Sequence, residues 1–305
     1  MDEYVRAAPA PHLRRYVAHY SGYRQRDVPS AQHLGLPSPY LTLIFTLDEP
    51  LTIASHPDPR QPPADYDALV GGLHTTPALI THDGAQSGLQ LAVSPLGARA
   101  LLGHPAGELS GIDVPGSAVL GGVVDEMRMR LQAASSWRAR FDVVDQVLLR
   151  LVDSNRDLAL DIAPEVVRAW SRVTGSGGAV SVSALAADTG WSRRHLSERF
   201  RSETGLTPKL AARVTRFDRA RRLLTSRLSD TSHPPLRLAD LAARCGYADQ
   251  SHLARDFRDL AGRSPRQWVA DEFPNVQADG HARAPQWSDI ADDCEGASYA
   301  REHHA

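Results

Sequence analysis

Leu238-Ala239-Asp240-Leu241-Ala242-Ala243-Arg244-Cys245-Gly246-Tyr247, followed by Ser251-His252-Leu253-Ala254-Arg255-Asp256-Phe257-Arg258 and Gly262-Arg263-Ser264-Pro265, reads as two short amphipathic helices about a glycine. Gly246 can take the positive φ that ends a helix. Tyr247 can fill the gap between the two helices, and Asp249 stands where it caps the second. Leu253 and Phe257, four apart, mark that helix's buried face. Burying them leaves Gln250, Ser251, Ala254, Arg255 and Arg258 outside.

The same grammar occurs upstream. Val180-x-Val182, Leu185-Ala186-Ala187 and Gly190-Trp191 align with Leu236-x-Leu238, Leu241-Ala242-Ala243 and Gly246-Tyr247 at an offset of 56. Leu196, Phe200, Gly205 and Pro208 align with Leu253, Phe257, Gly262 and Pro265 at an offset of 57. One unit therefore occurs twice, with one residue inserted in the second copy. In the first copy Ser192 is the cap, and the outward face offers Arg193, Arg194, Ser197, Glu198 and Arg201. Arginine can pair with guanine and glutamine with adenine in the major groove. Early positions of such a helix reach base edges and later ones reach phosphate. Between the copies, Leu210, Val214, Phe217 and Leu224 mark a connecting helix, along which lie Arg213, Arg216, Arg219, Arg221 and Arg222. A rigid connector holding the two readers about 34 Å apart would set both against one side of a duplex.

Charge supports a polyanion partner. Residues 178–270 hold 17 basic and nine acidic residues, a surplus of eight, although the 305-residue chain has a net charge of -2. A basic C-terminal block on an acidic body is the footprint of a nucleic-acid reader, and also of an ordinary solvated helix face. The in-register duplication favours the reader.

Residues from about Val180 to Trp268 resemble the DNA-binding domain of the AraC/XylS family of bacterial transcription regulators. Arg222-Leu223-Leu224 and the second-copy motifs quoted above carry the resemblance. It implies two helix-turn-helix motifs on a long helix, placed in successive major grooves. By position, Arg193, Arg194, Ser197 and Glu198 fall where the family's first reading helix meets bases, and Gln250, Ser251 and Arg255 fall where the second does. Glu198 departs from the pattern, since relatives often carry arginine there; it either accepts from cytosine or pairs with Arg194 or Arg201. The implied partners are double-stranded DNA, RNA polymerase, a small-molecule effector and a second copy of the chain. Activator and repressor roles both stay open, and no cofactor is implied.

The expected fold class is α+β. A β-rich sensing or dimerisation domain with C-terminal helices occupies 1–174, the double helix-turn-helix domain 179–270, and a disordered tail 275–305. In the first domain Tyr40–Leu47 reads as a strand, with Leu51-Thr52-Ile53 returning as its hairpin partner across Asp48-Glu49-Pro50. Segments 78–82 and 89–93 read as two more strands joined by a turn. After Pro95 the period changes to helical; Trp137, Phe141, Val144, Leu148 and Leu151 form one helix stripe. Thr174-Gly175-Ser176-Gly177-Gly178 reads as a flexible break. The motifs at 11–24 and 94–104 resemble a subgroup of such regulators, without naming an effector.

Several classes are disfavoured. Two cysteines, Cys245 and Cys294, cannot make a disulfide framework or a four-cysteine zinc site. Cys245, just before the turn glycine, reads as a small buried apolar residue. His12, His19, His33, His56, His74 and His82 are scattered without metal-ligand spacing. No nucleophile elbow, phosphate-binding glycine loop or zinc-protease motif occurs. Apolar runs are too short to span a membrane and no secretory signal is legible, so the expected location is the cytoplasm. Two rival readings are kept: a ligand-independent DNA binder whose front half only dimerises, and an enzyme domain fused to a DNA-binding module. A cavity with convergent, perturbed ionisable groups would favour the enzyme.

Overall fold

Apolar segments with both faces to bury recruit partners from far along the chain, and that shapes the N-terminal half. The computed structural model describes residues 2–229 and 237–272. In chain order the strands are β1 (Asp2–Ala7), β2 (Val17–Gln25), β3 (Ala31–Gly35), β4 (Leu41–Thr46), β5 (Leu51–Ser55), β6 (Ala64–Tyr66), β7 (Ala68–Gly71), β8 (Ala78–His82), β9 (Gln86–Val93) and β10 (Asp113–Pro115). They form an antiparallel six-stranded sheet, β1-β2-β9-β4-β7-β10, and a four-stranded sheet, β3-β8-β5-β6. Ile44, Leu51, Ile53, Leu69 and Ile80 pack together between the sheets. Leu43, Phe45, Val70, Leu89 and Leu91 belong to the main core.

The expected hairpin of 40–47 with 51–53 does not form. β4 pairs with β7 and β9, whereas β5 pairs with β6 and β8 in the other sheet. Segments 78–82 and 89–93 are strands but likewise part, β8 to one sheet and β9 to the other. A two-strand hairpin closes a short loop cheaply. Splitting the strands lets β4 bury both faces, and the extra apolar area outweighs the longer loops.

The helices are α1 (Ala98–Leu102), α2 (Gly116–Leu120), α3 (Val123–Ala133), α4 (Trp137–Ser154), α5 (Arg156–Leu160), α6 (Pro164–Gly175), α7 (Val182–Thr189), α8 (Arg193–Thr204), α9 (Pro208–Ser229), α10 (Leu238–Arg244), α11 (Gln250–Ala261) and α12 (Pro265–Glu272). The α4 stripe buries Phe141, Val144 and Leu148, with Leu151 half-buried. Ser136 caps the helix by accepting from the Ala139 amide at 3.2 Å. Trp137 lies flat on Gly22, where any Cβ would come within 2.4 Å of the ring.

The glycine-rich segment expected to be flexible is a closed helix terminus. The Gly177 amide donates to Thr174 O and the Gly178 amide to Val173 O, both at 2.9 Å, the paired pattern of a Schellman cap. Gly177 and Gly178 have φ of 59° and 80°. α6, which precedes the expected boundary, packs on α7, α8 and α9; Trp170 meets Phe200 with ring centroids 5.8 Å apart. Glycines chosen for positive φ look identical in sequence to glycines chosen for looseness. The expected tail at 275–305 lies outside the described residues.

Candidate nucleic-acid interface

Each helix-turn-helix unit is assembled by its local sequence. Gly190 ends α7 at φ 72° and Gly246 follows α10 at φ 73°. The Ser192 hydroxyl accepts from the His195 amide at 3.2 Å, and Asp249 Oδ1 accepts from the His252 amide at 2.7 Å. These caps begin α8 and α11 in equivalent places. Tyr247 is buried in the second turn and Trp191 half-buried in the first; each meets a histidine of the following helix edge-on, at 5.1 and 4.6 Å. Leu196, Phe200, Leu253 and Phe257 are fully buried. Phe257 also meets Phe217 of α9 at 4.9 Å, which seats the second unit on the connector.

Arg193, Arg194, Glu198 and Arg201 on α8 are exposed, and Ser197 is half-buried. Gln250, Ser251, Arg255 and Arg258 on α11 are exposed. Glu198 Oε1 accepts from Arg194 Nε at 2.9 Å, which resolves its partner in favour of Arg194 over Arg201. Arg201 sits lower on α8, beside a cleft shared with Thr75, Thr76 and Ser110.

The connector's arginines are largely engaged within the protein. Arg213 Nε donates to Asp256 at 2.7 Å and its Nη2 pairs with Asp259, tying α9 to α11. Arg216 lies over the Tyr247 ring. Arg221 and Arg222 both pair with the buried Asp218, at 2.8 and 3.0 Å. Sequence periodicity reveals which arginines share a helix, but not which carboxylates wait opposite them.

The N-terminal half grips the first helix-turn-helix unit at the C-terminal end of α8. Arg99 of α1 makes a two-pronged pair with Glu203, at 2.7 and 3.0 Å. Ser110 donates to Gly205 O at 2.7 Å. Gly107 lies so close to Ser202 O that a Cβ would come within 2.1 Å. No periodicity or motif signalled this contact.

A cavity of about 180 Å³ lies between the two sheets and is closed on one side by α9 and α12. The strand register explains it. His19, Ala92, Thr42, Gly71 and Asp113 form one continuous cross-strand row of the larger sheet. The three central members are small, and Gly35 and Ala78, also small, line the opposite wall. Asp218, Arg221 and Arg222 of α9 also line the cavity. Burial pushes His19 down to about 3, with Arg6 adding to the effect, and His33 down to about 4. Both are therefore uncharged imidazoles at neutral pH. At the far end His56 Nδ1–H donates to Asp113 Oδ2 at 2.8 Å, and Tyr66 lies 3.4 Å from His56 Nε2. Among the described residues no three metal-ligating side chains come together, and no helix is long and apolar enough to cross a membrane.

Residues 185–271 match the family model of a helix-turn-helix domain, and residues 5–115 match a domain of unknown function (DUF6597). The transcriptional activator RhaR of Salmonella arizonae is 31% identical over 77 residues, 25% of this chain and 25% of its own. The chain thus aligns with about a quarter of the length of the curated relatives it matches. Among solved structures, ToxT of Vibrio cholerae is 12% identical, covering 82% of this chain and 96% of that one, with a TM-score of 0.47. The C-terminal domain of AraT, a response regulator of Geobacillus stearothermophilus, is 24% identical, covering 35% and 85%, with a TM-score of 0.31.

Proposed function

We propose, from the premise that residues 185–271 form an AraC/XylS-type helix-turn-helix domain, that this protein is a sequence-specific, effector-responsive transcription regulator of the bacterial cytoplasm. One observation carries the reading: two capped helices, α8 and α11, sit on one connector and present exposed arginine and glutamine tips. Arg193, Arg194 and Ser197, with Gln250, Ser251 and Arg255, read base edges. Arg201 and Arg258, about a turn further on, meet phosphate. Glu198 steadies Arg194 in the free protein and accepts from cytosine when that pair opens.

The cavity supplies the effector site. α9 carries both readers and also lends Asp218, Arg221 and Arg222 to the cavity wall. A molecule bound there touches the element that fixes the readers' separation, and shifts which arrangement is populated. Action as a homodimer and contact with RNA polymerase belong to the same reading.

The cavity's perturbed histidines are the feature an enzyme would need. Burial, rather than a catalytic partner, is the main cause of the His19 and His33 shifts. No described residue hydrogen-bonds the His19 ring nitrogens. This favours binding over catalysis, and no catalytic residue is assigned.

Selection of DNA fragments by the purified full chain, followed by sequencing, tests the reading. The expected result is a site with two sub-motifs one helical turn apart. Arg255→Ala should weaken the selected site by about 1–3 kcal/mol and relax preference at one base position. Unchanged affinity and preference would overturn the docking of α11; absence of any enriched motif would overturn the function.

A further inference from the structure

The cavity end remote from α9 is built around one fixed carboxyl group. Asp113 is held by three hydrogen bonds. Gln61 Nε2 donates to Asp113 O at 2.7 Å, and Gln61 Oε1 accepts from the Asp113 amide at 3.0 Å. His56 Nδ1 donates to Oδ2 at 2.8 Å. The Asp113 side chain is only 8% exposed, yet no described residue donates to its Oδ1. Gly71 lies beside it in the cross-strand row, where a Cβ would come within 2.8 Å of that oxygen. The missing side chain leaves Oδ1 open to the cavity that Asp113 lines.

A second acceptor stands nearby. His74, three residues after Gly71, also lines the cavity and lies within electrostatic reach of Asp113. Its Nδ1 donates to Thr76 O at 2.6 Å. Burial keeps the ring below the usual imidazole pKa, so it is uncharged at neutral pH. A neutral ring with its proton on Nδ1 offers Nε2 as an acceptor, and no described residue donates to it. Ile44, Leu69 and Ile80 add apolar wall. β10 and β4 are two strand steps apart, about 10 Å at roughly 4.8 Å per step, so a short ligand seated at Asp113 ends near Thr42.

Two acceptors at one end of an apolar cavity call for a group with several N–H donors. A hydroxyl brings a single donor and leaves one acceptor stranded, whereas an ammonium serves both. A carboxylate brings only acceptors and strands the pair, so the site selects against it. We propose that this end of the cavity takes a short primary amine, its ammonium donating to Asp113 Oδ1 and His74 Nε2 and its apolar body lying over Gly71 toward Thr42. The inference rests on the cavity being the effector site. His74 also lines the cleft shared with Arg201, Gly205 and Thr207, so the ammonium sits one side chain away from the first helix-turn-helix unit.

The test is calorimetric titration of the full chain at neutral pH with hexylamine, hexanol and hexanoate. Hexylamine should bind about tenfold or more tightly than either control, because charge-assisted hydrogen bonds are the strong ones. Asp113→Asn keeps an oxygen for His56 but turns an amide N–H to the cavity, and should bring hexylamine level with hexanol. His74→Phe removes only the second acceptor and should weaken hexylamine severalfold while leaving hexanol unchanged. Thermal transitions of both variants are recorded; His74 is half-buried, and its variant decides the matter where Asp113→Asn does not fold. Hexanol or hexanoate binding as tightly as hexylamine would overturn the ammonium site. So would an absence of hexylamine binding, or hexylamine affinity unmoved in either folded variant. The regulator reading fails differently: hexylamine would bind as expected yet leave affinity for the selected DNA site unchanged.

Discussion

Replacing Gly178 by alanine separates a packed connector from a loose one. Gly178 has φ 80°, and a Cβ there would lie 2.1 Å from Ala212 O and 2.9 Å from Arg216 N, both backbone atoms of α9. Neither can swing aside as a side-chain tip would. Left-handed backbone costs a residue with a Cβ roughly 1–2 kcal/mol. Forcing α9 away from the turn adds an overpacking cost of about 1–3 kcal/mol. Gly178→Ala should therefore destabilise the protein by about 2–5 kcal/mol, read as a lower urea midpoint at unchanged slope. Gly175, three residues earlier in the same motif, is the internal control. It ends α6 without positive φ and has nothing within 4 Å of its would-be Cβ. Gly175→Ala should be neutral or stabilise by up to about 1 kcal/mol. A flexible linker makes both substitutions equally mild. Unfolding free energies of the two variants within about 0.5 kcal/mol of each other would refute the packed connector.

Phe257→Ala should cost about 3–5 kcal/mol, because the ring is fully buried against Phe217 and Trp268; limited proteolysis should then cut within 237–272 before the N-terminal half. Arg99→Ala leaves the nearly buried Glu203 without its two-pronged partner and should cost about 1–3 kcal/mol, with faster amide exchange at the C-terminal end of α8; unchanged exchange there would mean that the grip is idle. Stability should fall as pH drops below about 6.5, because the unfolded chain protonates His19 and His33 while the folded one resists until about 3 and 4. Each contributes up to about 1.4 kcal/mol per pH unit in that window. The urea midpoint should be lower at about pH 5 than at pH 7, and His33→Gln should flatten the dependence.

The duplicated units were legible because their determinants are local. Gly190 and Gly246, the caps Ser192 and Asp249, and the pairs Leu196/Phe200 and Leu253/Phe257 act within about ten residues of one another. Helical periodicity then fixes which side chains face out, so the exposure of Arg193, Gln250 and Arg255 follows without knowledge of the fold. The stripe of α4 and the span of α9 were readable for the same reason. The hairpin at 40–53 was misjudged because the turn Asp48-Glu49-Pro50 is consistent with either partner. Only the sheet as a whole decides that β4 lies between β7 and β9.

By itself, then, the amino-acid order specified a twice-repeated helix-turn-helix unit with its outward side chains, since capping, positive-φ glycines and 3.6-residue spacing are short-range effects. The tertiary structure alone decided what lies between the two helical units and the sheets. The Arg99–Glu203 grip joins positions 104 residues apart. Asp218, Arg221 and Arg222 line a cavity rather than a free face. The row from His19 to Asp113 exists only through four strand pairings. Such contacts depend on where whole elements settle when they bury their apolar faces together, and no window of local sequence carries that information.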